Sequence, residues 1–515
     1  MKRPLVEIAD LDSGDSGLKA RSLRGGMVTI LFQGVDAVVR IGSIAILARA
    51  LMPADFGLVA MVTAITAIAE QFKDIGLSTA TVQKKRISHE ELSKLFWVNI
   101  ITGIAIAAFV CAAAVPIAGF FNDGRLVAIT IAIASGFVWS GAAIQHQALL
   151  RRQMRFTAIG AVQIGATVIS IGIATVLAFQ GYGYWALVWR EVLRNVFIAI
   201  GTWVLCPWVP GWPRRHIDVN RLIRFGGHIT GFNMIVFMTA SIDQLLIGKM
   251  FGPTELGMYR QAWQLIFWPI MQLTVPLGRV AESTLSYLQD SPARYREAYQ
   301  KLLTIINLVM MPMTVFAAIY AHEIVLVVLG EKWSEAAPIF RILALAMFLR
   351  PASDATGLVL VTCGKTKRYL NLGLVTGVIL TVAFSVGVVW GAVGVAYGGL
   401  AATFALLALR LYYTFEGTPV TVSTFVRGSA TPMLASAAMA AVMLVLGPLA
   451  GSPLGILAVA TPVATGVYLL ACIVIPGGRG ELGSIVSDLT GSLNLGRGYG
   501  ALKTARWKKI LRSQE

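Results

Sequence analysis

The sequence predicts an all-α, polytopic membrane protein with about fourteen transmembrane helices. Three observations predict it: an apolar composition, apolar runs of membrane-spanning length, and basic residues gathered in alternate connections. Of 515 residues, 56% are hydrophobic and 13% charged, and the mean hydropathy is +0.72, whereas soluble domains carry roughly 25% charged residues. Too little polar sequence remains to cover a core in water, so lipid must be the solvent. An ordinary soluble enzyme is excluded.

Apolar runs of about 17 to 25 residues place a first set of six helices at residues 27–48, 56–82, 92–118, 126–149, 157–179 and 184–205. After a polar stretch from Pro207 to Arg224, a second set follows at 226–250, 256–285, 302–320, 336–361, 370–390 and 393–413. Two more, 425–447 and 454–475, complete the count. The expected organisation is an N-terminal tail (1–24), an N-lobe (25–206), a linker (207–224), a C-lobe (225–415), helices thirteen and fourteen (416–476) and a basic tail (477–515). The polar N-terminus has no apolar core or cleavage site of a signal peptide, so the first span is expected to stay.

Orientation follows from lysine and arginine, which are retained on the cytoplasmic side. With the N-terminus inside, about 31 basic residues fall on the cytoplasmic side and about 4 outside, the rest lying within spans. Lys84-Lys85-Arg86, Arg151-Arg152, Arg214-Arg215 and Lys367-Arg368 are such clusters. An even number of spans puts both termini in the cytoplasm. The net charge of +17 is therefore read as topology, and no nucleic-acid partner is expected. The tail from Arg497 to Arg512 is expected to meet anionic membrane lipids.

A repeat adds the next step. Residues 49–58 (RALMPADFGL) align with 249–258 (KMFGPTELGM), each after an apolar segment that begins at a Gly-Gly pair. Basic, proline, acidic and glycine positions recur about 200 residues apart, six helices later. An even number of helices per repeat makes the halves parallel, an arrangement common in alternating-access transporters.

Several strings resemble the polysaccharide flippases of the multidrug/oligosaccharidyl-lipid/polysaccharide exporter superfamily. They are LARALMPADFG (47–57), DIGLSTATVQ (74–83), RRQMRF (151–156), GYGYWALV (181–188), IDQLLIG (242–248) and FGPTELGMY (251–259). The resemblance covers nearly the whole chain except the N-terminal tail and the last two helices. It implies a V-shaped pair of six-helix bundles, alternating access and an undecaprenyl-diphosphate-linked oligosaccharide as cargo in a bacterial inner membrane, for exopolysaccharide or O-antigen. It also implies a transporter that hydrolyses no ATP itself, with a polysaccharide polymerase and co-polymerase as further partners. The sequence contains no GxxxxGK[ST] phosphate loop, and no cofactor is expected.

Ionisable residues inside spans cost at least about 2.5 to 3.5 kcal/mol and so face protein or a wet cavity. Asp36 and Arg40 are spaced i,i+4, and Glu70, Lys73 and Asp74 cluster on the second helix. Arg190 and Arg194 share a face with no acid four residues away, although Glu191 is adjacent. Asp243, Arg279 and Glu282 follow, then Arg341, Arg350 and Asp354. Guanidinium groups bind phosphate oxygens in pairs, which makes Arg40, Lys73, Arg190, Arg194, Arg279 and Arg350 the expected substrate-binding residues. Asp36, Asp74, Asp243 and Asp354 are the expected carriers of a coupling proton or cation. The competing reading makes Asp36/Arg40, Lys73/Asp74, Arg279/Glu282 and Arg350/Asp354 structural ion pairs. Arg260 and Arg341 are placed near the outer interface.

Trp139, Trp185, Trp189, Trp263 and Trp268 are read as interface anchors in the main, and the five histidines as packing residues without metal spacing. The four cysteines lie far apart in or beside apolar segments and are read as packing residues. The stretch from His322 to Arg341 is read as a short amphipathic segment at the outer interface. Two alternatives stay open: a cation-coupled multidrug exporter, which would repel an excess of intramembrane arginine, and a membrane-embedded glycan polymerase or transferase, which would need larger outer loops. A flippase for the peptidoglycan lipid precursor shares the cationic cavity.

Overall fold

The computed structural model describes residues 15–73, 78, 81, 82, 84, 87–212, 241–447, 451–476, 478–480 and 483. Regular structure among them is helical, without a strand. Nine helical stretches among the described residues are long and apolar enough to cross a bilayer. The chain gathers into two compact units. One takes Met1–Pro276, Ala321–Met347 and Lys367–Ala408, the other Leu277–Tyr320, Phe348–Thr366 and Leu409–Glu515.

The first unit opens with α1 (Asp15–Ala50) and α2 (Pro53–Glu70). Pro53 suits the first turn of α2, where its missing N–H is unneeded. The Asp55 carboxylate accepts the Met52 N–H at 2.9 Å, beside the positive end of the helix. The helix expected over 56–82 stops at Glu70 instead. Gln71, Phe72 and Lys73 donate to carbonyls three residues back, the tightened turn that satisfies a helix end.

Next come α3 (His89–Ala112), α4 (Ala114–Phe121), α5 (Arg125–Arg152), α6 (Phe156–Phe179) and α7 (Tyr184–Leu205). Ser88 caps α3: its Oγ accepts the Glu91 N–H at 3.2 Å and Glu91 accepts the Ser88 N–H at 3.1 Å, a reciprocal capping box. Gly103 and Gly141 let α3 and α5 approach, since a Cβ on either would lie 2.7 Å from a backbone carbonyl of the other helix. Small residues permit such contact where lipid supplies no hydrophobic drive. Between α4 and α5, Arg125 lies 2.6 Å from Asp123 and holds that carboxyl below its usual pKa. His146 is fully buried and stacks on Trp203 at 4.4 Å, as a packing histidine would.

The helical run α8 (Ile242–Tyr287) breaks at Gly252, whose φ of 80° and ψ of −170° suit glycine. Pro253 then restarts the helix, so the two copies of the repeat build matching turns. These turns pack on each other reciprocally. A Cβ on Gly57 would fall on the Pro253 carbonyl, and one on Gly257 on the Pro53 carbonyl.

The chain continues through α9 (Pro292–Ile319), α10 (Ala321–Val328), α11 (Ala336–Met347), α12 (Arg350–Thr362), α13 (Thr366–Gly387), α14 (Gly391–Phe415), α15 (Val422–Leu446) and α16 (Pro453–Val474). The helix expected over 336–361 is two helices, because Pro351 has no N–H to continue the ladder. Between α10 and α11 the chain makes a 3-10 turn, Glu331–Trp333. Its Trp333 is fully buried, donates to the Ala48 carbonyl at 2.9 Å and meets the Phe56 ring edge-on at 5.2 Å. Arg49 in turn donates to the Val327 carbonyl at 2.7 Å. The stretch read as amphipathic is thus fastened to the α1–α2 turn.

In the second unit, α15 lies on α9, where Asn307 donates to Ser429 at 2.9 Å. Tyr468 of α16 donates to the Leu308 carbonyl at 2.9 Å. α15 therefore packs on α9 and α16 on α15, with the Tyr468 hydroxyl reaching α9.

Candidate functional site

Within the first unit α1, α2, α5, α6, α7 and α8 line a cavity of about 340 Å³. Helical spacing supplies its walls. Arg40, Ser43 and Ile44 come from one face of α1, Thr63, Thr66 and Glu70 from one face of α2, and Arg260, Gln264 and Trp268 from one face of α8. Arg190, Glu191, Arg194 and Asn195 come from α7, and Ser140, Thr167 and Ser170 from α5 and α6. Four arginines and two glutamates are among the lining residues.

The arginines differ in how they are held. Arg40 lies 2.6 Å from Asp36 and 5.1 Å above the Trp268 ring centroid. Arg190 pairs with Glu191 at 2.8 Å, the adjacent acid, not one a helical turn away. Arg260 donates to Gln244 at 3.0 Å. Arg194 keeps a buried Nε with no hydrogen-bond partner among the described residues. A buried donor left so is costly.

Of the expected substrate-binding residues, the cavity thus brings together Arg40, Arg190 and Arg194. Lys73 lies 3.5 Å from Glu70 and is not part of the wall. Arg279 is exposed in the second unit, with no ion pair to Glu282 among the described residues. Arg350 lies 3.8 Å from Asp354, which Arg410 approaches to 2.6 Å in the same unit. Arg410 had gone unmarked in the sequence. Asp243 is buried and accepts the Tyr259 hydroxyl at 2.9 Å and the Gln244 N–H at 2.8 Å. Asp74 lies outside the described residues.

Two residues read from the sequence as interface residues are brought to the cavity: Arg260 lines it, and so does Trp268, which carries Arg40 over its ring. Arg260, Gln264 and Trp268 recur every four residues, the periodic signal that marks one helix face. Glu70 and Glu191 are the carboxylates that reach the cavity wall, ahead of the four aspartates.

Long apolar helices around a cavity lined by charged residues mark a polytopic membrane protein. The chain belongs to the family described as "Polysaccharide biosynthesis protein", whose pattern matches residues 46–338, more than half its length. It is similar to the teichuronic acid biosynthesis protein TuaB of Bacillus subtilis (strain 168), 26% identical over 302 residues, which are 58% of this chain and 62% of that protein. The match thus spans less than two thirds of TuaB. Similarity to the lipopolysaccharide biosynthesis protein WzxC of Escherichia coli (strain K12) is 24% over 394 residues, 75% of this chain and 77% of that one. Among solved structures, lipid II flippase MurJ in an inward closed conformation shares the fold with a TM-score of 0.67 at 11% identity, covering 88% of this chain and 97% of MurJ.

Proposed function

We propose that this chain is a flippase that moves undecaprenyl-diphosphate-linked oligosaccharide repeat units from the cytoplasmic to the periplasmic leaflet of a bacterial inner membrane. The observation that carries the reading is the arginine-rich cavity, with Arg40, Arg190, Arg194 and Arg260 in its wall. Such a cavity suits an anionic diphosphate, because guanidinium groups pair with phosphate oxygens and gain strength away from water. It repels organic cations, which sets the multidrug reading second. The names of the relatives support the cargo class: one concerns teichuronic acid, one lipopolysaccharide.

In this account Arg40, Arg190 and Arg194, joined by Arg260, hold the diphosphate. Lys73, Arg279 and Arg350 meet the cargo outside that cavity, and Asp36, Asp74, Asp243 and Asp354 carry a coupling ion or neutralise neighbours. The lobes 25–206 and 225–415 rock against each other, both termini are cytoplasmic, and the 477–515 tail meets anionic lipid. A polymerase and co-polymerase receive the product.

The test is a deletion strain complemented with wild type or with Arg194→Gln at matched membrane expression. Repeat units stranded on the cytoplasmic face in the deletion strain, and released by wild type alone, support the proposal. Normal delivery to the outer face in that strain, with no second flippase substituting, overturns it and makes cation-drug export the reading to test.

A further inference from the structure

The two copies of the repeat can be compared position by position, at the same offset that aligns 49–58 with 249–258. Carried outward without a gap, it matches Ser43, Ile44, Val59 and Ala60 with Asp243, Gln244, Tyr259 and Arg260. The first copy is small or apolar at all four positions, and the second is polar at all four. Those four polar side chains make two bonds across the break at Gly252. Tyr259 donates its hydroxyl to Asp243 at 2.9 Å, and Arg260 donates to the Gln244 amide oxygen at 3.0 Å. Each bond joins residues sixteen positions apart, so the pair ties the arm of α8 before Gly252 to the arm after it. Arg260 also approaches, to 3.5 Å, the carbonyl of Ala60, its own counterpart in the first copy.

The partners of the cavity arginines differ in charge. Arg40 and Arg190 each touch a carboxylate, Asp36 and Glu191. Arg260 is held by two neutral oxygens, the Gln244 amide and the Ala60 carbonyl, and makes no ion pair among the described residues. Arginine offers donors only, so the amide must present its oxygen. A carboxylate at position 244 would make a stronger bond and would also cancel the guanidinium charge. The amide fixes direction and leaves the charge to an anion. Asp243, the carboxylate next in the chain, accepts the Tyr259 hydroxyl and the Gln244 N–H, and both bonds steady the arm that carries Gln244.

We infer that Gln244 is a positioning residue that aims Arg260 at the cavity while sparing its charge, with the Asp243–Tyr259 bond as its brace. The inference rests on the flippase reading and deepens it, because Arg260 serves an anionic cargo only while its charge is not spent on a neighbouring carboxylate.

The experiment is calorimetric titration of the full chain in nanodiscs with inorganic pyrophosphate, beside the thermal midpoint of each protein. Gln244→Leu is expected to weaken binding about fivefold, and to change it less than about twofold in an Arg260→Gln background, since the two residues act as one unit. Gln244→Glu keeps an acceptor for the guanidinium, so its midpoint is expected at or above that of wild type while its affinity falls about tenfold. A bond that merely braced α8 would leave Gln244→Glu with wild-type affinity, which overturns the inference. So does an equal loss from Gln244→Leu in both backgrounds, or a wild type that does not bind pyrophosphate. Should Gln244→Glu lose its midpoint, the Gln244→Leu cycle decides. The two readings fail separately. Wild-type affinity in Gln244→Glu beside successful complementation of the deletion strain removes the positioning role alone, and the expected pattern of affinities beside normal export in that strain removes the flippase alone.

Discussion

Arg194 carries the clearest expectation at the scale of single residues. Its guanidinium belongs to the cavity wall, where a bound anion gains a charge-assisted hydrogen bond. Arg194→Gln is expected to cut polysaccharide export at least about tenfold, equivalent to about 1.4 kcal/mol, measured as extracellular polymer at matched membrane expression. Export at the wild-type level would place the guanidinium off the transport path. Arg260→Gln is expected to act in the same direction, with a smaller loss because Gln244 already accepts from that guanidinium. The arginines of α1 and α7 are legible in the sequence, since i,i+4 spacing is a local property that survives folding. Arg260 is not. It follows Pro253 by seven residues, about 10 Å along a helix axis, which reads as interface until α2, α5 and α7 are known to close around it. Trp268 is obscured likewise, because membrane depth alone cannot separate an anchor from a cavity wall.

At the scale of elements, the α1–α2 turn is held from two directions. Trp333 reaches it through a ring contact and an indole bond to the Ala48 carbonyl, and the Pro253 turn meets it through Gly57. Trp333→Ala removes a large, fully buried side chain and is expected to cost about 3–5 kcal/mol. Thermal unfolding of the purified variant in detergent checks this, and an unchanged midpoint would mean the turn is held elsewhere. Gly57→Ala places a methyl on the Pro253 carbonyl and is expected to destabilise by about 1–3 kcal/mol through forced backbone shifts, read by the same assay. The repeat in the sequence announces both turns, because proline, acid and glycine have fixed roles at a helix start. It does not announce their mutual contact, which joins residues about 200 positions apart. The breaks after Glu70 and before Arg350 are also obscured, since apolar composition continues across both and hydropathy registers composition, not backbone bonds.

For the whole molecule, composition settles the solvent and hence the fold class: apolar helices that satisfy their own backbone in lipid. Orientation rests on the basic residues of alternate connections. Reporter fusions are the check: a periplasm-active phosphatase joined after residue 476 is expected to be silent, and one joined in the 122–124 turn active. A reversed pattern would invert the direction of transport in the account. The cavity is less legible at this scale, because it is made where six helices meet and no window of sequence contains it. In the proposed account, its four arginines against two glutamates link the fold to an anionic cargo. The most direct measurement of that link is translocation in proteoliposomes holding the purified chain and an undecaprenyl-diphosphate-linked glycan, with glycan on the outer leaflet followed by an impermeant glycosidase. The account predicts that the inner-leaflet glycan becomes accessible with wild type, and at least about tenfold more slowly with Arg194→Gln. Accessibility no faster than in protein-free vesicles would contradict it.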